Sequence, residues 1–346
     1  MQNNNHLLVS VVMNCYNSDK YLQEALESIL KQTYENFEII FWDNKSTDKS
    51  AEIIQSFNDC RIKYFLAPNF TLLGEARNLA IEKCNGKWIG FLDCDDIYDK
   101  NKILYSMQEL SKSKFDDISL IYTKTKIINE RGIKIDSMDK HYSGYIHDKL
   151  LKEGDFLSLS SIMIKKDIFY HIGKINTSLN YCEDYDLLLK ISKISNVIGV
   201  NEYLTYYRKH SGNITAVKYK TNIIELNNFL LSYIKENNID LIIGINIIWK
   251  LIFNINMVSL KLIKEFKFKE LIYFIKNYKL YTLFLPLSSM EYIIRKIIMK
   301  YISKKKMSII TLIISMKNKR QLMVKKQVKL KSRTKKQFIN NSFLNV

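Results

Sequence analysis

The sequence predicts an α/β protein: a doubly wound, mostly parallel sheet flanked by helices, followed by a basic, mainly helical C-terminal extension. Three observations predict it. Short apolar runs rich in β-branched and aromatic residues alternate with amphipathic helical stretches over the first hundred residues. Two of these runs stop abruptly at acidic residues, Asp43 and Asp93, where an open α/β sheet presents ligands. Residues 1–215 balance 27 Lys+Arg against 29 Asp+Glu, whereas residues 216–346 hold 26 against 6, so the chain changes character near residue 215.

The elements follow in order. LLVSVVM (7–13), FEIIFW (37–42), IKYFL (62–66) and WIGFL (88–92) read as buried parallel strands. Between the first two, DKYLQEALESILKQ (19–32) places Tyr21, Leu22, Ala25, Leu26, Ile29 and Leu30 at helical spacing, with Ser18 or Asp19 as the N-cap. STDKSAEIIQSF (46–57) is a second helix, opened by Ser46 or Thr47. GEARNLAIEKC (74–84) is a third and ends at Asn85-Gly86 as its C-cap. A helix at 101–113 then precedes a strand at 118–128, a polar stretch at 129–155 with a turn at Glu130-Arg131-Gly132, and a strand at 158–165. YCEDYDLLLKIS opens a helix whose first residues are carboxylates, and 197–207 is a further strand. Beyond 216 lie long stretches of Ile, Leu, Phe and Tyr interleaved with Lys. None offers an uncharged apolar window long enough to span a bilayer, so basic amphipathic helices lying in the headgroup region are expected.

Composition narrows the function classes. The five cysteines show no metal-ligand spacing and suit a reducing compartment. The N-terminus has no basic region followed by a long apolar core, so no secretion signal is expected and the cytoplasm is the expected location. AT-rich coding accounts for the abundance of lysine but not for the loss of acids after residue 215. An anionic membrane surface or nucleic acid is therefore the expected counterpart of the tail.

GFLDCDDIYD (90–99) carries the chemistry. Three carboxylates, Asp93, Asp95 and Asp96, end a buried strand, where like charges repel and resist desolvation. A divalent cation relieves that repulsion. Hard oxygen ligands suit Mg²⁺ or Mn²⁺, which takes one or two protein carboxylates and fills its other positions with water and substrate phosphates. A metal and a phosphorylated ligand are thus implied together.

Five motifs in order then carry a resemblance: VSVVMNCYN (9–17), YLQEALESILKQTYENFEIIFWDNKSTDKS (21–50), GEARNLAIEKCNGKWIGFLDCDD (74–96), EDYDLLLK (183–190) and YYRKHSGNIT (206–215). Residues 9–215 resemble a family 2 inverting glycosyltransferase of the GT-A fold, of the bacterial surface-polysaccharide type and hexosyltransferase activity. The family's DXD motif is matched by Asp93-Cys94-Asp95, with cysteine where a small residue is usual. The resemblance implies that Asp95 ligates the metal bridging a nucleotide diphosphate and that Asp93 contacts ribose or the metal. Asp96 is open between helix capping and support of the site. Asp43-Asn44 stands where the family has two acids that meet the base; Asn44 retains an acceptor and a donor for it. Tyr16 resembles the residue packed against the base. Arg77 has two readings, a phosphate ligand or a structural ion pair. Asp184 matches the base that removes the acceptor hydroxyl's proton, and Glu183 the residue that binds sugar hydroxyls. Arg208 and His210 match a closing loop that approaches the diphosphate or metal. The segment between Gly173 and Glu183 departs from the family pattern and leaves the acceptor open.

These readings give three expected regions: 1–110 for the nucleotide sugar, 111–215 for the acceptor, and 216–346 as the basic extension. The expected partners are a nucleotide diphosphate sugar, UDP-linked, a glycan or lipid-linked acceptor, and the cytoplasmic face of an anionic membrane, without nucleic acid. Two alternatives stand beside this reading. One is a nucleotide-binding protein held to nucleic acid by its basic tail, which the interleaved Ile, Leu and Phe disfavour. The other is an inactive glycosyltransferase-like assembly partner, which the full set of acids disfavours.

Overall fold

The computed structural model describes residues 7–251 except 238, 241, 242, 245 and 248–250. The helices expected in the later part of the extension lie outside the described residues.

Four parallel strands form the first half of a single sheet: β1 (Val9–Cys15), β2 (Phe37–Asp43), β3 (Ile62–Leu66) and β4 (Trp88–Phe91). β1 pairs with β2 on one side and β4 on the other, and β2 pairs with β3, all parallel. β2 is buried along its whole length, which is why its centre, residues 39–42, is continuously apolar rather than alternating. The connecting helices α1 (Asp19–Leu30), α2 (Ser50–Ser56) and α3 (Leu73–Glu82) follow the expected order. Leu22, Ala25, Leu26 and Ile29 of α1 join Val9, Val11, Met13, Ile39 and Phe41 in one core cluster. Each large apolar side chain buried this way contributes about 1.5–3 kcal/mol before chain entropy is counted.

The sheet continues past β4 with the order β3-β2-β1-β4-β8-β6-β9-β5. Here the pairing is mixed. β8 (Ile162–Lys165) lies antiparallel between β4 and β6 (Ile118–Ile128), and β6 runs parallel to the long β9 (Asn196–Arg208). The short β5 (Ile97–Tyr98) closes the edge against β9, and β7 (Lys134–Met138) forms a hairpin with β6. Helices α4 (Lys102–Lys112), α5 (His147–Glu153), α6 (Lys166–His171) and α7 (Glu183–Ile194) connect these strands. After β9 come the single turn α8 (Ile214–Val217) and α9 (Tyr219–Glu236).

Several local expectations are corrected. The strand expected at 158–165 is shortened to β8, because residues 159–161 form a 3-10 turn. Ser161 donates both its N–H (2.8 Å) and its hydroxyl (2.7 Å) to Ser158 O, so local serine hydrogen bonds outcompete the ladder. β7 and α5 lie in the polar stretch 129–155, for which no element was expected. Ser18 precedes α1 but caps nothing; its hydroxyl donates back to Tyr16 O. α2 starts later than expected, at Ser50, whose N–H donates to Asp48. Gly86 is not a helix cap. Its site leaves no room for a Cβ, which would stand 2.5 Å from Ser10 N, so glycine is needed for close approach. The Glu130-Arg131-Gly132 turn is present, with Gly132 at φ 77°.

The end of the sheet away from the strand carboxyl termini holds a buried polar staple. Glu38, 5% exposed, accepts from Ser10 Oγ (2.6 Å), Asn85 N (2.6 Å), Asn85 Nδ2 (3.1 Å) and Lys63 Nζ. Burial opposes its charge, but these donors win and hold its carboxyl down at about 2.

Candidate active site

Strand order reverses at β1, where β2 departs to one side and β4 to the other, so the crevice beyond their carboxyl ends is the expected ligand site. On the β2 side, Asp43 is 1% exposed. One carboxylate oxygen accepts from Ser46 N (2.7 Å) and the other from the Tyr64 hydroxyl (2.8 Å), while desolvation and Asp43 together push that phenol up to about 12. Asn44 donates to Thr71 O (2.8 Å) and accepts from Thr71 N (3.2 Å). Both ends of the carboxamide therefore hold the 67–72 loop. Asn17 and Lys45 adopt positive φ (50° and 71°), and Asn17 Oδ1 accepts from Thr47 N (2.7 Å), joining the loops after β1 and β2. Beside these bonds lie two exposed aromatic rings, Tyr16 and Phe70, with centroids 4.7 Å apart. The family resemblance singled out Tyr16 but not Phe70, whose loop is brought beside Tyr16 by bonds to Asp43 O and Asn44.

On the β4 side the three acids have three different environments. Cys94 turns inward, its thiol donating to Asn14 O (3.3 Å), which sends Asp93 and Asp95 outward. Asp96 is 1% exposed and accepts from Ser160 Oγ (2.6 Å) and Arg208 N (2.9 Å); burial drives its pKa well up. It ties β4 to β9 and the serine turn. Asp95 accepts from His210 Nε2 (2.8 Å) and Asn213 Nδ2 (3.1 Å). His210 Nδ1 accepts from Gly212 N (3.2 Å), which assigns the proton to Nε2. Arg208, 2% exposed, donates to Asp95 O (3.0 Å), Glu130 O (3.3 Å) and Glu24 Oε2 (2.6 Å), and lies 4.6 Å from the centre of the Tyr21 ring. Its guanidinium anchors the loop that carries His210.

A buried arginine links the two halves. Arg77, 5% exposed on α3, donates to Glu183 Oε1 (2.5 Å) and to Asp93 Oδ1 (3.4 Å). Glu183 is 3% exposed, and its Oε2 is buried without a hydrogen-bond partner. Asp184, the next residue, is only half-buried; its Oδ1 accepts from Tyr185 N (2.8 Å). Desolvation, reinforced by Asp155 and opposed by Arg77, pushes its carboxyl up to about 7. Desolvation likewise raises Asp93 and Glu183, each countered chiefly by Arg77. The crevice thus gathers the expected residues Asp93, Asp95, His210, Arg77, Glu183 and Asp184, with Arg77 set among an excess of carboxylates.

Among the described residues, no three His, Cys, Asp or Glu side chains gather as a ready metal cage. The pair that does converge is Asp95 with His210. The Asp95 carboxylate, oriented by the His210 N–H, fits a divalent ion that takes its remaining ligands from phosphate and water. The surplus of negative charge around Arg77 suits such an ion as well.

Comparison with known proteins agrees with this geometry. The family model described as Glycosyl transferase family 2 matches residues 10–173. An uncharacterized glycosyltransferase of Rickettsia typhi is 33% identical over 226 residues, 62% of this chain and 68% of that protein. The Escherichia coli enzyme WfgD, a UDP-Glc:alpha-D-GlcNAc-diphosphoundecaprenol beta-1,3-glucosyltransferase, is 30% identical over 62% of this chain and 81% of its own length. Among solved structures, S. aureus TarS 1-349 in complex with UDP-GlcNAc superposes with a TM-score of 0.58 at 19% identity, covering 70% of this chain and 72% of that one. That likeness gives the sheet its class, a GT-A fold. The chain belongs to glycosyl transferase family 2 and is a glycosyltransferase.

Proposed function

We propose that this chain is a metal-dependent inverting glycosyltransferase. It transfers a sugar from a nucleotide diphosphate sugar, UDP-linked, to a hydroxyl of a lipid-linked oligosaccharide or surface glycan. The observation that carries the reading is the meeting, in one crevice, of the Asp95–His210 pair, the Asp93–Arg77–Glu183 chain and an Asp184 carboxyl poised at about 7. Tyr16 and Phe70 stack the base, while Asp43 and Asn44 shape the loops around it. Asp93 faces the ribose or phosphates. Asp95 would hold a divalent ion, with His210 orienting that carboxylate through its Nε2–H; the ion's charge would offset the negative charge growing on the departing diphosphate. Arg77 keeps Asp93 and Glu183 in register and Arg208 fixes the His210 loop. Asp184 accepts the acceptor hydroxyl's proton as that oxygen bonds to the anomeric carbon and the bond to the diphosphate breaks on the opposite face. WfgD and TarS support UDP as the nucleotide, and WfgD supports a diphospholipid acceptor.

The reading extends to location. Among the described residues, no helix is long and apolar enough to cross a membrane. The surplus of basic over acidic residues after 215 suits peripheral attachment to an anionic cytoplasmic leaflet, at about 1 kcal/mol for each basic residue near the surface. A panel of UDP-sugars, assayed with Mn²⁺ and with GlcNAc-diphosphoundecaprenol as acceptor, tests the whole proposal. The expected result is metal-dependent UDP release and a product of inverted anomeric configuration. Asp184→Asn should lower turnover by about 10²–10⁴-fold while UDP binding persists. Retained configuration, or turnover unchanged in Asp184→Asn, would overturn it.

A further inference from the structure

α7 begins at Glu183, so its free N–H groups lie beside the Glu183-Asp184 pair. A helix start is ordinarily capped by a nearby Ser, Thr, Asp or Asn. Here the N-cap position is Cys182, whose side chain makes no capping bond. The three residues ahead of the helix instead direct their backbone N–H groups at one carboxylate, Glu225 of α9. Glu225 Oε1 accepts from Tyr181 N (2.7 Å), Asn180 N (2.9 Å) and Cys182 N (3.2 Å), and Oε2 from Asn180 N (3.0 Å). The Cys182 thiol also points to Oε1, at 3.5 Å. α9 then accompanies α7: Phe229 packs edge-on against Tyr185 with centroids 6.1 Å apart, and Lys193 Nζ donates to Asn237 Oδ1 (2.7 Å).

We infer that Glu225 is a positioning residue for proton abstraction: by clamping residues 180–182 from outside, it fixes the direction in which Asp184 enters the crevice. The inference rests on the reading of Asp184 as the base. The Asp184 carboxylate accepts from the backbone N–H of its own neighbour Tyr185, so its aim follows the backbone of that first turn. That turn is held on its inner side by Arg77 through Glu183, and on its outer side by Glu225. Misplacement of a reacting group by about 1 Å is enough to cost 10²-fold in rate. Glu225 lies beyond residue 215, in the part of the chain that composition sets apart. Part of that stretch therefore completes the acceptor side of the site.

The test compares full-length Glu225→Ala, Glu225→Gln and Asp184→Asn. It uses the UDP-sugar of the panel above that gives the fastest Mn²⁺-dependent UDP release, with GlcNAc-diphosphoundecaprenol or water as acceptor. Glu225→Ala should lower kcat by about tenfold or more, with donor KM changed by less than about twofold. The apparent pKa of kcat should fall in this variant as Asp184 leaves its buried setting. Glu225→Gln keeps a carbonyl acceptor and should restore most of kcat and of that pKa; it also serves if the alanine variant does not fold. Wild-type kcat and pH profile in Glu225→Ala overturn the inference. So does a loss shared by kcat and donor KM that glutamine fails to rescue, since that marks a purely structural cap. Full turnover in Asp184→Asn would instead overturn the reading of the base.

Discussion

The two sides of the crevice are held in different ways. On the donor side, the loops after β1 and β2 are joined by bonds among Asn17, Asp43, Asn44, Ser46 and Thr71, residues that lie on neighbouring strand ends. Around the carboxylates proposed for metal and acceptor, each chemical group is held by something distant in the chain: Glu183 by Arg77, Asp95 by His210 and Asn213, and the mouth of α7 by Glu225. The difference teaches where the two kinds of specificity reside. A donor pocket built from adjacent strand ends is set by the sheet itself. An acceptor pocket assembled from tethers can be re-aimed by changing one tether.

The largest expected effect tests the inner tether. Arg77 and Glu183 are both buried, with side chains 6% and 4% exposed, so Arg77→Met leaves an uncompensated charge and should cost about 3–5 kcal/mol in urea denaturation. The double variant Arg77→Met/Glu183→Leu should recover most of that loss. If the single variant is as stable as the parent, the two halves are not coupled through this pair.

Next comes pH. On the proposal that Asp184 is the base, it must be ionised to accept a proton, so kcat should fall as pH drops below about 7, about tenfold per unit at the limit. The linkage runs in the opposite sense: a raised carboxyl favours the protonated fold, so the stability this group contributes is lost as pH rises through about 7. Rate against pH at saturating donor checks the first statement, and stability against pH in Asp184→Asn and its parent the second. A flat rate profile from pH 8 to pH 5 would contradict both.

The smallest effect should come from the donor side. Phe70→Ala removes one ring of the exposed pair and should weaken UDP-sugar binding by about 1–3 kcal/mol, raising donor KM with kcat little changed. A fall in kcat without a change in KM would dissolve the contrast between the two sides.

The same contrast explains what the sequence disclosed. The DCDD motif was legible because a buried strand ends there and its charge demands a partner. Asp43 and the strand–helix alternation were legible for similar local reasons, whereas Tyr16 was singled out only by the family resemblance. Phe70 and Glu225 carried no local signal: one is an aromatic in a short irregular loop, the other an acid on a helix, and both meet residues far along the chain. The serine turn before β8 was hidden for another reason. Its residues suit a strand, and only the hydroxyl bonds of Ser160 and Ser161 show the competing choice.

The staple around Glu38 has a consequence for life in mild acid. A depressed carboxyl keeps its stabilising effect above its unfolded value of 4.5 and surrenders it only as pH falls toward about 2. Between neutrality and pH 5 the rate should therefore fall while Glu38 keeps its charge and its donors. Acid inhibition should be a reversible pause, undone by returning the enzyme to neutral buffer.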